Sequence, residues 1–169
     1  TIANALDHGG LTGRTRGYAV FSCLDVPFSF EAETPRRQHS IWSDIEPFLP
    51  QCRNVSHSKS LQDGAQCGRL RTITPTSTKA PTILKSQSRM AKDSAVILVD
   101  DQFLWPSEDL QKHLMGIPQE FHIDAVSKDI GSEILGQSID GSLHAMVTRS
   151  IKSHIDSYFA SGICLARNG

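Results

Sequence analysis

Six apolar side chains recur near the C-terminus, at Leu143, Met146, Val147, Ile151, Ile155 and Phe159. Their spacing follows a helix of 3.6 residues per turn and no strand. A long helix with one apolar face is rarely left uncovered in water. Something has to lie on this face: the rest of the chain, a second copy, or another polypeptide. Ser142 is placed to cap the helix, and Ser161-Gly162 to end it.

The chain reaches this helix through LMGIPQEFHIDAVSKDIGSEILGQSIDGS, residues 114–142. Pro106, Glu108 and Asp109 suit the first turn of a helix that carries Leu110, Leu114 and Met115 on its apolar face and stops at Gly116. Ser127 can cap a second helix over Lys128–Leu135, with Gly136 as its stop. Further upstream, Tyr18–Cys23 and Thr82-Ile83-Leu84 read as strands, and Phe28-Ser29-Phe30 as an extended piece. Ala95–Val99 and Phe103–Trp105 flank Asp100-Asp101-Gln102 as a hairpin. Trp42–Phe48 makes a helical turn that ends before Pro50. Residues 51–81 show neither period, and they read as irregular loops with short strands. The fold class implied is mixed α/β.

Composition narrows the function. With 38% apolar and 21% charged residues the chain is globular, and no apolar run approaches the roughly 20 residues of a membrane span. The four cysteines form no Cys-x-x-Cys, so reduced thiols in a cytoplasmic protein are expected, with no metal site. No signal peptide is visible, and the first residue is Thr1, so a trimmed chain or a part of something longer is expected. No Gly-x-Ser-x-Gly elbow, His-Glu-x-x-His pair or phosphate-binding Gly-x-x-x-x-Gly-Lys occurs, which leaves an autonomous hydrolase without support. Charge is uneven. Residues 1–90 hold 11 Lys and Arg against 7 Asp and Glu, whereas the remainder holds 6 against 11. The first half can therefore face phosphates.

Several signals stand in order: Trp105-Pro106-Ser107-Glu108, then Leu114-Met115-Gly116-Ile117-Pro118-Gln119-Glu120-Phe121, then Gly136-Gln137-Ser138-Ile139 before the last helix. This sequence resembles the C-terminal end of the DNA (cytosine-5)-methyltransferases, whose pattern there is Pro-Arg-Glu, Leu-Met/Gln-Gly-Phe-Pro-Asp-x-Phe/Tyr and Gly-Asn-Ser-Val. Ile117, Gln137 and Ile139 depart from it. Thr12-Gly13-Arg14-Thr15-Arg16 resembles the family's motif VIII, Gln-x-Arg-x-Arg, with Thr12 in place of Gln. Lys79-Ala80-Pro81-Thr82-Ile83-Leu84, with Arg69 and Arg71 upstream, resembles motif IX.

The resemblance implies an architecture and a set of roles. Residues 1–48 would be the end of a catalytic-domain sheet, 49–104 a target-recognition region, and 105–169 a helical part with motif X. Arg14 and Arg16 would lie at the target base, where a planar guanidinium suits both a flipped base and its phosphates. Gly136, Gln137 and Ser138 would lie beside S-adenosylmethionine. Arg53, Arg69 and Arg71 are candidate DNA contacts. Double-stranded DNA is the implied partner, in a cytoplasmic, nucleoid-associated or phage-encoded setting. The family's Pro-Cys nucleophile loop, Glu-Asn-Val motif and Phe-x-Gly-x-Gly loop are absent. Pro50-Gln51-Cys52 has the wrong order and lies after motif VIII, not before it. The expectation is therefore a C-terminal portion or small subunit. It would be inactive alone, and its last helix would dock on a complementary half or on a second copy. The alternatives are a free-standing non-catalytic remnant and an unrelated α/β interaction domain.

Overall fold

The computed structural model describes residues 1–123 and 125–161. Among these, six short strands and five α-helices form a mixed α/β fold, in agreement with the sequence. The proposed stop at Gly162 and the thiol of Cys164 lie outside the described residues.

Four strands make one sheet, in the order β3 (Arg53–Asn54), β6 (Gln102–Trp105), β5 (Ala95–Val99) and β4 (Arg71–Ile73). β5 and β6 are the expected hairpin, with one refinement. Val99 pairs with Gln102, so the turn is Asp100-Asp101 alone, at φ 48° and 58°. A two-residue turn of this hand matches the strand twist, and Asp tolerates its left-handed backbone. β4 runs parallel to β5, with Arg71 opposite Ala95. A second, two-stranded sheet pairs β1 (Ile2–Asn4) antiparallel to β2 (Thr15–Gly17).

Two expected strands do not form. Tyr18 still exchanges backbone hydrogen bonds with Thr1, but residues 19–23 form no strand, and Phe21 is 95% exposed. Thr82–Leu84 carries the β-formers of a strand, but the ladder position beside β5 is taken by β4. Ile83 instead enters the core as a single buried side chain, while Ala80 forms an isolated bridge to Thr12. The region read as irregular also holds a helix, α2 (Lys59–Gln66), that the sequence hid. Its anchor is small, with only Leu61 and Gly64 buried. At Gly64 a Cβ would lie 2.3 Å from the Lys92 carbonyl oxygen, so the helix touches a neighbouring backbone through its glycine. The turn at Trp42 is α1 (Trp42–Ile45), and it runs on through Pro50 as a 3₁₀ helix to Gln51.

The helices after the sheet start where capping residues allow. α3 (Glu108–Leu114) is capped by Ser107, whose Oγ accepts from the Leu110 N–H at 3.2 Å, and Gly116 follows its end at φ +61°. α4 (Lys128–Gln137) starts at Ser127 as expected but runs through Gly136 and ends at Ser138. Gly136 is a contact glycine and not a stop, because a Cβ there would lie 2.2 Å from the Lys85 nitrogen. α5 (Gly141–Ala160) is capped by Asp140, not Ser142. The Asp140 carboxylate accepts from the Ser142 N–H at 3.0 Å, and a negative group also suits the positive end of the helix.

One core joins the three sequence segments. It contains Leu11 and Ile41, then Ile73, Ile83 and Ile97, then Leu110, Leu114 and Met115. A smaller cluster seats α5 on the N-terminal hairpin, through Leu143 and Met146 against Ala3 and Ala5, with Tyr18 and Phe30 at its edge. Farther along α5 the covered face turns away from the apolar stripe. Ser150 and His154 are buried, whereas Ile151, Ile155 and Phe159 are 38%, 40% and 64% exposed. The chain's own cover explains this. The Glu31 N–H donates to Ser150 Oγ at 2.9 Å, His154 Nε2 shares a hydrogen bond with Ser22 Oγ at 2.7 Å, and the Phe28 ring stands edge-on to His154. No helix among the described residues is long and apolar enough to cross a membrane.

Candidate nucleic-acid interface and cofactor edge

The loop from the 3₁₀ turn Ala5–His8 to β2 and the junction between α4 and α5 meet at Arg14. This side chain is 3% exposed, and its Nη2 donates to the Gly136 carbonyl at 3.0 Å. Thr12 Oγ1 donates to the buried Asp140 carboxylate at 2.8 Å, so the same loop is tied to the cap of α5. Burial lowers the Arg14 pKa from its ordinary value. The neighbouring Arg16 adds to that, while Asp140 and Tyr18 act against it. Arg14 Nε and the Tyr18 hydroxyl are both buried without a partner. Burial likewise raises the Tyr18 pKa. Arg16 is half-buried and donates to the Thr15 carbonyl at 2.9 Å.

The Thr12–Arg16 and Gly136–Ile139 segments are thus brought together, with Arg14 bonded directly to Gly136. Gln137 is exposed and donates to Glu133 at 2.6 Å, and Ser138 Oγ bonds back to the Leu135 carbonyl at 2.8 Å. The donor set at this edge consists of one amide, one hydroxyl and backbone. That set can hydrogen-bond the polar groups of a cofactor as one wall of a site, and the rest of such a site would have to come from elsewhere.

A basic cleft of about 620 Å³ lies beside this junction. Gly13 is at one edge, Arg71 and Lys79 supply charge, and Thr72, Thr76 and Ser77 are among its hydroxyl groups. The bridge from Thr12 to Ala80 holds it against the Thr12–Arg16 loop, and the Ala80 N–H donates to the Leu11 carbonyl at 2.8 Å. Arg71 is fixed in place by bonds from Nε to the Asp93 carbonyl and from Nη1 to the Thr82 carbonyl, both 2.6 Å. Its Nη2 is buried and has no partner, and burial pulls its pKa down against the pull of Asp93. The positive charge of a fixed guanidinium beside a lysine and several hydroxyls suits phosphate oxygens. Arg53 and Arg69 are exposed and stand elsewhere, Arg53 on β3 and Arg69 just before β4. The sequence names Arg71 as a DNA contact and Lys79 only as the start of the motif IX-like run, and it does not single out the hydroxyls around Thr76. Their signal is present as TPTSTKAPT, a cation among hydroxyl residues.

Cys52 stands apart from both places. Its Sγ donates to the Phe48 carbonyl at 3.3 Å, and burial pushes its pKa up, outweighing hydrogen bonds with Ser107 that lower it. Since the thiolate is the reactive form, Cys52 should alkylate slowly at pH 8 and faster as pH rises, well behind the exposed Cys23 and Cys67. Mass spectrometry after iodoacetamide treatment reads the order, and early modification of Cys52 would show an activated thiol. Among the described residues, no group of three or more His, Cys, Asp and Glu is placed to hold a metal ion.

The chain has a methyltransferase-like fold. It is similar to the Entamoeba histolytica methyltransferase EhMeth, with a TM-score of 0.60 at 13% identity, over 92% of this chain and 53% of that one. It is also similar to the S. pombe Dnmt2 methyltransferase, with a TM-score of 0.59 at 11% identity, over 90% of this chain and 56% of that one. The chain therefore spans little more than half the length of these two structures. No protein-family model matches the sequence, and comparison with curated proteins finds no match.

Proposed function

We propose that the chain is the C-terminal part, or the separate small subunit, of a DNA (cytosine-5)-methyltransferase. In this reading it supplies DNA contacts and one wall of the S-adenosylmethionine site. The observation that supports the reading best is the bond from Arg14 to Gly136, which joins the motif VIII and motif X segments within a methyltransferase-like fold. Arg16 and the basic cleft of Arg71 and Lys79 would take the DNA backbone. Gln137 and Ser138 would hold S-adenosylmethionine, which supplies the methyl group when bound. The nucleophile and the remaining cofactor contacts would belong to a complementary half that docks on the exposed part of α5.

Transfer of a radiolabelled methyl group to mixed-sequence duplex DNA tests this division of labour. The pure chain should show no turnover. Turnover by the pure chain that Cys52→Ala abolishes would overturn the proposal, because the nucleophile would then lie in this chain.

A further inference from the structure

A second cleft, of about 700 Å³, opens between the end of β6, the start of α3, the turn at Gln87–Arg89 and the outer half of α4. It shares no lining residue with the basic cleft. Its volume is in the range of about 300–1,000 Å³ typical of small-molecule sites.

Gln111 lines it and is 7% exposed. Its Nε2 donates to the Pro106 carbonyl at 3.0 Å. That bond fixes the orientation of the amide, because turning it over would set two carbonyl oxygens against each other. The Oε1 held in this way is buried and has no partner. Buried acceptors are nearly always bonded. Gln87, also on the wall of the cleft, shows the usual case. It donates to the Ala95 carbonyl at 2.6 Å and accepts from the Ala95 N–H at 3.1 Å. Gln111 Oε1 is thus an acceptor for which the chain supplies no donor.

The other walls say what kind of donor fits. Trp105 offers a flat, half-buried ring, and Met90, Ile123 and Leu135 are apolar. The charged lining balances, Arg53 and Lys128 against Glu108 and Asp129, and Glu108 is paired with Lys112 at 2.9 Å. A strongly charged ligand gains little in such surroundings. A flat, largely apolar ring with an N–H at its edge satisfies both the indole face and the lone amide oxygen.

We propose that this cleft binds a nucleobase carrying an exocyclic amine, taken up as a free nucleoside, with the amine on Gln111 Oε1 and the ring against Trp105. The inference is independent of the methyltransferase reading, and its test separates the two. The full chain, labelled with nitrogen-15, is titrated with adenosine, with cytidine, and with purine riboside, which is adenosine without its amine. The side-chain N–H signals of Trp105 and Gln111 are followed by NMR. Adenosine or cytidine should shift both signals saturably, and purine riboside should bind at least about tenfold more weakly, as expected when a buried acceptor is left unpaired. Gln111→Leu, similar in shape, should abolish the difference between adenosine and purine riboside. Gln137→Ala, at the cofactor edge, should leave it unchanged. Absence of saturable shifts with both amine-bearing nucleosides would overturn the proposal, as would equal binding of adenosine and purine riboside. So would binding lost in Gln137→Ala, which would place the nucleoside at the cofactor edge instead. If Gln111→Leu does not fold, the comparison of adenosine with purine riboside on the unaltered chain decides alone.

Discussion

Gly141→Ala should destabilise the protein by about 3 kcal/mol or more, a large loss for one methyl group. Helix propensity points the other way, since alanine is favoured over glycine in a helix by up to about 1 kcal/mol. The clash decides the sign. A Cβ at Gly141 would lie 1.9 Å from the Gly116 carbonyl oxygen and 2.6 Å from its carbon. Neither is a flexible side-chain end, so two backbones would have to separate. The Gly141 N–H also donates to the Met115 carbonyl at 2.7 Å, a bond that such separation would break. Gly17→Ala is the control, because a Cβ there meets nothing within 4 Å, and its effect should stay within about 0.5 kcal/mol. Urea denaturation of the three proteins reads the difference. Equal midpoints would mean that the end of α3 and the start of α5 are not pressed together. The contact matters for function because Asp140, beside it, ties the Thr12–Arg14 loop to α5.

Ile155→Asp with Phe159→Asp should turn an associating chain into a monomer without unfolding it, whereas Met146→Asp should unfold it. The two sites share one stripe in sequence but differ in environment. Met146 is 1% exposed in the cluster with Ala3 and Ala5, so a carboxylate there would be buried without a partner, which is severely destabilising. Ile155 and Phe159 lie on the stretch where the chain covers Ser150 and His154 and leaves the apolar side in water. Covering Ile151, Ile155 and Phe159 would contribute about 5 kcal/mol before the cost of association. Sedimentation of the pure chain over a range of concentrations should therefore show self-association that the double variant abolishes. A wild-type chain that stays monomeric throughout would remove the reason to expect a partner on this face.

Legibility in the sequence followed the physical origin of each element. The hairpin at Asp100-Asp101, the start of α4 at Ser127 and the period of α5 were readable because local chemistry decides them. Residues 19–23 and Thr82–Leu84 form no strand because a strand needs a neighbour: the pairing with the N-terminus ends at Tyr18, and the ladder beside β5 goes to β4. α2 was hidden because one buried leucine and a contact glycine, not a periodic stripe, hold it in place. The glycines of the C-terminal segment were visible, but their reasons were not. Gly136 and Gly141 meet the backbones of Lys85 and Gly116, partners distant in sequence or set by how the helices cross. Arg14 and Gly136 were named from the sequence as separate candidates, and their direct bond is a tertiary fact that no spacing could give. That Lys79 shares a cleft with the fixed guanidinium of Arg71 is likewise a tertiary fact.

The proposed role in DNA recognition is tested most directly by the salt dependence of binding to a fluorescent duplex, measured by anisotropy for the wild-type chain, Arg16→Ala and Lys79→Ala. The expected result is binding at low salt that weakens steeply as salt rises. Each variant should flatten the logarithmic slope by about one unit, because each removes one phosphate contact. Affinity absent at low salt, affinity that salt does not alter, or a slope that neither substitution flattens would contradict it.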